Sequence, residues 1–318
     1  MQKVLITGAA GFVGHYLSDS LLEKYRVVGT DMAPENKNSK VSYFPGNILD
    51  KKFLTELISD EKPEVIFHLA AKSQTWDRNV EEVFNVNVLG TINLYECILG
   101  VRRDTDYNPK IFFISSSEVY GNTSDPKNIT EDSPLFPTKF YSASKAASDR
   151  LSYSFTQSEK LDILILRPFT HTGPGQGKGF VVPDFASQIA ELEKDPNKSE
   201  LLVGNLEPIR DYLDVRDVVS AYKAVIDKDW TPGESYNICS GKGVKIDEIL
   251  ETLLKLSDKK LNVKEDPSKL RVSDTPVYVG NNQKFVKSTG WEPKIPLEQT
   301  LKDTLDFWRT KEPLHLTP

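Results

Sequence analysis

The sequence predicts an α/β fold: a doubly wound parallel sheet with a smaller α/β C-terminal lobe. Three observations predict it. Short β-type runs alternate with amphipathic helical segments through the first half of the chain. Several runs are apolar without interruption, "VIFHLA" at Val65–Ala70 among them, as strands covered on both faces are. After Pro168 the pattern gives way to a Gly-rich polar stretch, "THTGPGQGKG", before helical periodicity resumes.

The first strand, Val4–Thr7, runs into "TGAAGFVG" and a helix over Gly11–Lys24. Gly8 permits the tight turn, Gly11 lets a pyrophosphate approach the backbone, and Gly14 lets helix and strand pack closely. Phe12 and Val13 open the helix, whose free N–H groups and partial positive charge suit an anion. This is a Rossmann-type opening for a dinucleotide. The second strand, Arg26–Gly29, leads to Asp31, 23 residues after Gly8. Its carboxylate can accept from adenosine ribose hydroxyls and repels a 2'-phosphate, so NAD(H) is favoured, with NADP(H) possible. The third strand, Val41–Phe44, is followed by "GNIL", which puts Asn47 and Ile48 where an adenine is held. The fourth, Val65–Leu69, ends in "HLAAKS", where Leu69, Ala70 and Ala71 leave room for a dinucleotide backbone. A helix is expected over Val83–Leu99. The fifth strand, Ile111–Ser115, ends in "SSSEVYG", a helix follows over Ser142–Gln157, and a sixth strand, Asp162–Leu166, leads to Pro168, a further cofactor contact.

Hydroxyls and a carboxylate at the tip of a strand serve chemistry better than packing. Tyr141 and Lys145, in "YSASK", fall on one face of a helix, one turn apart. A free phenol, with a pKa of about 10, is a sluggish acid–base group at neutral pH. A nearby ammonium and the positive charge of an oxidised nicotinamide would lower that value. The serine cluster can hold a substrate oxygen against the phenol.

In the second half, "THTGPGQGKG" is expected to be a loop and Pro183–Glu193 a helix. Ser235–Ser240 is a strand that can return to the main sheet. Helices over Ile246–Leu256 and Leu297–Arg309 flank short extended pieces. The expected division is a dinucleotide-binding domain over 1–170 plus about 211–240, with a substrate-binding lobe over 171–210 and 241–318.

The 318 residues carry a net charge of -6 with both signs interspersed, which offers nucleic acid no basic stripe. No run of apolar residues approaches the length of a membrane span, and no secretory leader is recognisable. Cys97 and Cys239 read as reduced thiols of a cytoplasmic protein. His15, His68, His171 and His315 are scattered without ligand spacing, so no metal site is expected.

Taken together, "TGAAGFVG", "FHLAAKS", "NVLGT", "SSSEVYG", "YSASK", "LRPF", "GPGQG", "RDYLDVRDV", "YNICSG" and "TGWEPKIPLEQTLKDTL" resemble an extended short-chain dehydrogenase/reductase of the nucleotide-sugar-modifying kind. The resemblance spans essentially the whole chain. Counting back from "VYG", it places the family's active hydroxyl on Ser116 and implies Ser116, Tyr141 and Lys145 as the catalytic set, with Asn87 behind the site. In the family's dehydratases a glutamate at the position of Glu118 takes the C5 proton of the sugar. The "GNLEPIRDYLDVRDVV", "YNICSG" and "LRVSDTP" segments look more like reductases of GDP-4-keto-6-deoxy-mannose, which also carry that glutamate. The function implied is reduction of the C4 ketone of a GDP-4-keto-6-deoxyhexose to a GDP-rhamnose-type product; the alternative is a dehydratase or 4-epimerase with tightly bound NAD. By the same resemblance Arg210 and Arg271 meet the diphosphate and Asp274 the nucleoside ribose. Ser73, Thr75, Ser117 and Thr170 would face the sugar, Val181 and Gln188 would line the base pocket, and a homodimer is expected. Thr170 stands where the family usually has asparagine, and Val272 and Asp274 depart from its Arg-Pro-Ser-Glu pattern, so the resemblance does not fix the substrate.

Overall fold

The structure is a computed structural model, described over residues 1–36, 38–73, 78–103, 105–269 and 275–310. Its first half alternates strands and helices: β1 (Lys3–Thr7), α1 (Phe12–Leu21), β2 (Arg26–Asp31), β3 (Ser42–Pro45), α2 (Lys51–Glu61) and β4 (Val65–His68). Then come α3 (Val80–Phe84), α4 (Gly90–Arg103), β5 (Lys110–Ile114), α5 (Phe140–Glu159) and β6 (Asp162–Pro168). The second half holds β7 (Thr170–Thr172), α6 (Val181–Lys194), β8 (Glu200–Val203), β9 (Ile209–Asp214), α7 (Val215–Ala224) and β10 (Ser235–Ile238). It ends with β11 (Gly243–Lys245), α8 (Ile246–Leu256), β12 (Asn262–Glu265), β13 (Val277–Tyr278), α9 (Gln283–Thr289) and α10 (Leu297–Thr310).

Seven strands form one parallel sheet in the order β10-β6-β5-β4-β1-β2-β3. The uninterrupted apolar runs explain it. Val4, Ile6, Phe67, Phe112 and Leu164 point into a core on one face. Their neighbours Leu5, Ile66, Ile111, Phe113 and Ile163 point into a core on the other. Each such side chain contributes roughly 1.5–3 kcal/mol on burial, so both faces must be covered by helices. The chain reverses direction across the sheet between β1 and β4, and the carboxyl ends there open a crevice. As expected, Ser235–Ile238 returns to the sheet beside β6.

Two expectations are corrected. The helix expected over Val83–Leu99 is broken: α3 and α4 are joined by a π-helical turn, Asn85–Leu89. Thr170–Thr172, expected as loop, is strand β7, paired in parallel with β9. Its Thr-His-Thr sequence suits a strand, and the glycines that suggested a loop begin only at Gly173.

In the second half, β7, β9, β11 and β13 make one small sheet, and β8 and β12 another. A third core, including Phe185, Ile189, Leu201, Ile249, Leu253 and Leu301, ties α6, α8 and α10 together. Among the described residues no helix is long and apolar enough to cross a membrane.

Candidate active site

A cavity of about 860 Å³ runs along the carboxyl ends of the central strands and on toward Gly204, Arg210 and Lys269. Every residue expected at the cofactor borders it: Gly8, Gly11, Phe12, Val13, Gly14, Asp31, Asn47, Ile48, Leu69, Ala70, Ala71, Tyr141, Lys145 and Pro168. So do Ser116, Ser117, Glu118, Ser73, Thr170, Val181 and Arg210.

At the end of the cavity bordered by the glycine turn, the surface is largely backbone. Gly8 adopts φ +76°, and a Cβ there would lie 2.8 Å from the Ala70 amide nitrogen. A Cβ on Gly14 would lie 2.1 Å from the Gly8 carbonyl oxygen. Only glycine fits either place. Gly11 is the N-cap of α1 and no side chain caps the helix start, so its first N–H groups face the cavity's glycine turn without a side-chain acceptor. Asp31, at the tip of β2, accepts from the Met32 amide at 2.7 Å and the Ala10 amide at 3.2 Å. This cradle fits a dinucleotide.

At the other end, α5 carries Tyr141 and Lys145 to the tips of β5 and β6. Ser116 and Tyr141 both line the cavity, and burial pushes the Tyr141 phenol up to about 12, with Ser116 opposing. The Lys145 ammonium donates to the Ile114 carbonyl and sits 4.5 Å from the centre of the Phe113 ring. Burial pushes Lys145 down to about 7, with the Asp149 carboxylate opposing. The expectation that the ammonium lowers the phenol is therefore not met in the protein alone. Burial and the Glu118 carboxylate both raise the phenol, and the lysine is turned to a carbonyl and a ring.

Glu118 accepts from Lys139 Nζ at 3.1 Å, both side chains being about one-third exposed in the cavity wall. Asn87 lies behind the site as implied. Its amide donates to Ser144 Oγ (2.8 Å) and the Lys72 carbonyl (3.2 Å), and accepts from the Lys72 amide (2.8 Å). The π turn supplies the extra residue that lets Asn87 bridge two elements.

Gln188 is a correction. Its amide donates to the Asp184 and Leu202 carbonyls and accepts from the Leu202 amide, so it ties α6 to β8 and does not border the cavity. Arg210 reaches the cavity wall while donating to the Thr275 carbonyl at 2.7 Å. Thr75, Arg271 and Asp274 lie outside the described residues.

Sequence reasoning missed the supports. Asp149, one turn after Lys145, is wholly buried and accepts from Ser115 Oγ (2.8 Å) and from Arg167 Nε and Nη2 (2.9 Å each). Arg167 also donates to the Tyr120 hydroxyl at 2.9 Å. One buried ion pair thus fastens α5 to the ends of β5 and β6. Stranding either partner would leave an uncompensated buried charge. The signal available was an acid in "SASKAASD" at helical spacing from Lys145. His68 links Thr7 Oγ1 (2.7 Å) to Thr91 Oγ1 (3.0 Å), and burial holds it neutral, down to about 3.

The comparisons agree with this geometry. Residues 5–304 match the family described as GDP-mannose 4,6 dehydratase. A GDP-6-deoxy-D-mannose reductase of Pseudomonas aeruginosa is 30% identical over 313 residues, covering 98% of each chain. A structure of RMD from Pseudomonas aeruginosa complexed with NADPH superposes with a TM-score of 0.82 at 29% identity, over 98% of this chain and 99% of that one. A dTDP-glucose 4,6-dehydratase from Bacillus anthracis in complex with NAD gives 0.81 at 26% identity, over 97% and 96%. With a glycine cradle, a buried tyrosine–lysine helix and these relatives, the chain belongs to the GDP-mannose 4,6-dehydratase family, NAD(P)-dependent nucleotide-sugar oxidoreductases of the extended short-chain dehydrogenase/reductase kind.

Proposed function

We propose that the protein reduces the C4 ketone of a GDP-4-keto-6-deoxyhexose to a GDP-6-deoxyhexose of the GDP-rhamnose type. The observation that carries this reading is the Lys139–Glu118 ion pair beside the Ser116 and Tyr141 hydroxyls. Elimination of water across C5–C6 would use Glu118 to take the C5 proton, and Lys139 pairs with its Oε2, which makes it a weaker base. The similarity to a GDP-6-deoxy-D-mannose reductase over nearly all of both chains supports the same choice.

When bound, the reduced nicotinamide supplies the hydride that C4 accepts. Ser116 Oγ donates to the ketone oxygen and polarises it. Tyr141, kept protonated by burial, gives its proton to that oxygen as alkoxide character develops. Lys145 holds the nicotinamide ribose and stabilises the phenolate left behind. Glu118 contributes charge next to the sugar without acting as a base.

Asp31 at the ribose end favours NADH over NADPH by repelling a 2'-phosphate. Residues 1–170 and about 211–240 hold the dinucleotide, and 171–210 with 241–318 hold the nucleotide sugar. In that lobe Arg210 and Arg271 meet the diphosphate, Asp274 the ribose and Val181 the base, while Ser73, Thr75, Ser117 and Thr170 of the dinucleotide domain surround the sugar. The working unit is a homodimer through α4 and α5, by family resemblance.

The test is incubation with GDP-4-keto-6-deoxy-mannose and NADH, then NADPH. One reduced nicotinamide consumed per sugar is expected. Conversion of GDP-mannose to a 4-keto sugar with no net loss of reduced nicotinamide would favour a dehydratase instead.

A further inference from the structure

The groups assigned to the reaction are tied together by a hydroxyl that takes no part in it. Along α5, Tyr141, Lys145 and Asp149 stand four residues apart, so all three share one face of the helix. The chain leaving β5 meets that face at two consecutive residues. The Ile114 carbonyl accepts from Lys145 Nζ, and Ser115 Oγ donates to Asp149 Oδ2 at 2.8 Å. Ser115 is fixed from the other side as well, its amide donating to the Leu166 carbonyl of β6 at 2.8 Å. Ser116 comes next in the chain. Its own Oγ accepts from the Glu118 amide at 3.2 Å, a bond inside its turn that sets no distance to α5.

The Ser115–Asp149 bond does set that distance, and it is not needed to neutralise the carboxylate. Asp149 already accepts from Arg167 Nε and Nη2 at 2.9 Å each and from Arg150 Nη2 at 2.8 Å. A buried carboxylate gripped by two guanidinium groups has little freedom, so a hydroxyl bonded to it is held too. Arg167 in turn directly precedes Pro168, another residue of the cavity wall. Ser116, the Tyr141–Lys145 face and Pro168 are thus all referred to one fixed point. Transfer between bound partners depends steeply on such spacing, a misplacement of about 1 Å costing on the order of 10²-fold in rate.

We propose that Ser115 is a positioning residue whose bond to Asp149 sets the spacing between the Ser116 hydroxyl and the Tyr141–Lys145 face of α5, and so the geometry in which the sugar's C4 oxygen is held during hydride transfer. This rests on the roles proposed above for Ser116, Tyr141 and Lys145.

The test compares S115A with the wild-type chain and with S152A. Ser152 lies further along α5, and its substitution removes a buried hydroxyl bond of the same kind, to the Tyr95 hydroxyl of α4 at 2.7 Å. Both variants should melt a few degrees below wild type, each having lost one buried hydrogen bond. In S115A kcat should fall roughly tenfold, with KM for the nucleotide sugar and the NADH dissociation constant within about twofold of wild type. In S152A all three should stay within about twofold. Wild-type kcat in S115A overturns the proposal. So does an equal fall in both variants, the mark of a helix merely softened, or a loss of NADH affinity as large as the loss of kcat, which would make the hydroxyl a cofactor contact. An S115A protein that does not fold overturns it too, since the bond would then be structural. Turnover by the wild-type chain tests the proposed function on its own; where that chain dehydrates GDP-mannose instead, the same three proteins are compared on that reaction, so the two claims fail separately.

Discussion

The two ends of the cavity are built on different principles. The dinucleotide end presents backbone: glycines where a Cβ would collide at 2.1–2.8 Å, and an uncapped helix start. The reacting end presents side chains held by other side chains: Glu118 by Lys139, and α5 by the Asp149–Arg167 pair. Backbone recognition depends on a few consecutive residues and tolerates almost no substitution. Side-chain recognition is assembled from distant segments and can be retuned one group at a time. That contrast fits one dinucleotide cradle serving relatives that dehydrate, reduce and epimerise different sugars.

The largest effect that tests this contrast is Tyr141→Phe. Losing the general acid should lower kcat by about 10²–10⁴-fold, while NADH affinity stays near wild type. Full turnover by the variant would remove the proposed acid. Gly14→Ala attacks the opposite end. The added Cβ must displace the Gly8 carbonyl, so NADH binding should weaken by at least about tenfold and stability should fall by about 1–3 kcal/mol. An unchanged titration with NADH would show that the turn yields more easily than its geometry implies.

Lys145 gives the pH test. Its folded-state value of about 7 lies below the ordinary lysine value of 10.5, so between those limits the unfolded chain binds more protons. The burial penalty is fully present below about pH 7 and is relieved as pH rises toward 10.5. Denaturant midpoints should therefore climb with pH across that window in wild type and climb less in Lys145→Met. Parallel profiles would mean the lysine is solvated. The smallest effect is expected from Arg210→Ala, roughly a tenfold rise in KM for the nucleotide sugar with NADH affinity intact. A matching loss in NADH affinity would place the arginine at the wrong end.

Legibility followed the same division. The glycine spacing, Asp31 and the alternating strands were readable because each is a local pattern, and the sheet assembled around them. Ser116, Tyr141 and Lys145 were readable as motifs, and they do share the cavity. What held them was not. Asp149 looked like an ordinary helix-face acid until Arg167, 18 residues on, reached it through the fold. Lys139 gave no hint of Glu118, and Gln188 resembled a pocket residue until β8 took its amide. The π turn at Asn85–Leu89 is invisible to a 3.6-residue period. Pairings of this kind are set by tertiary contact between residues far apart in sequence.

The most direct test uses NADH carrying two deuterium atoms at nicotinamide C4, with GDP-4-keto-6-deoxy-mannose in ordinary water. A reductase built as described must yield a GDP-6-deoxyhexose with one deuterium, located at sugar C4. An unlabelled sugar, or both deuterium atoms still on the nicotinamide after the substrate has turned over, would contradict it.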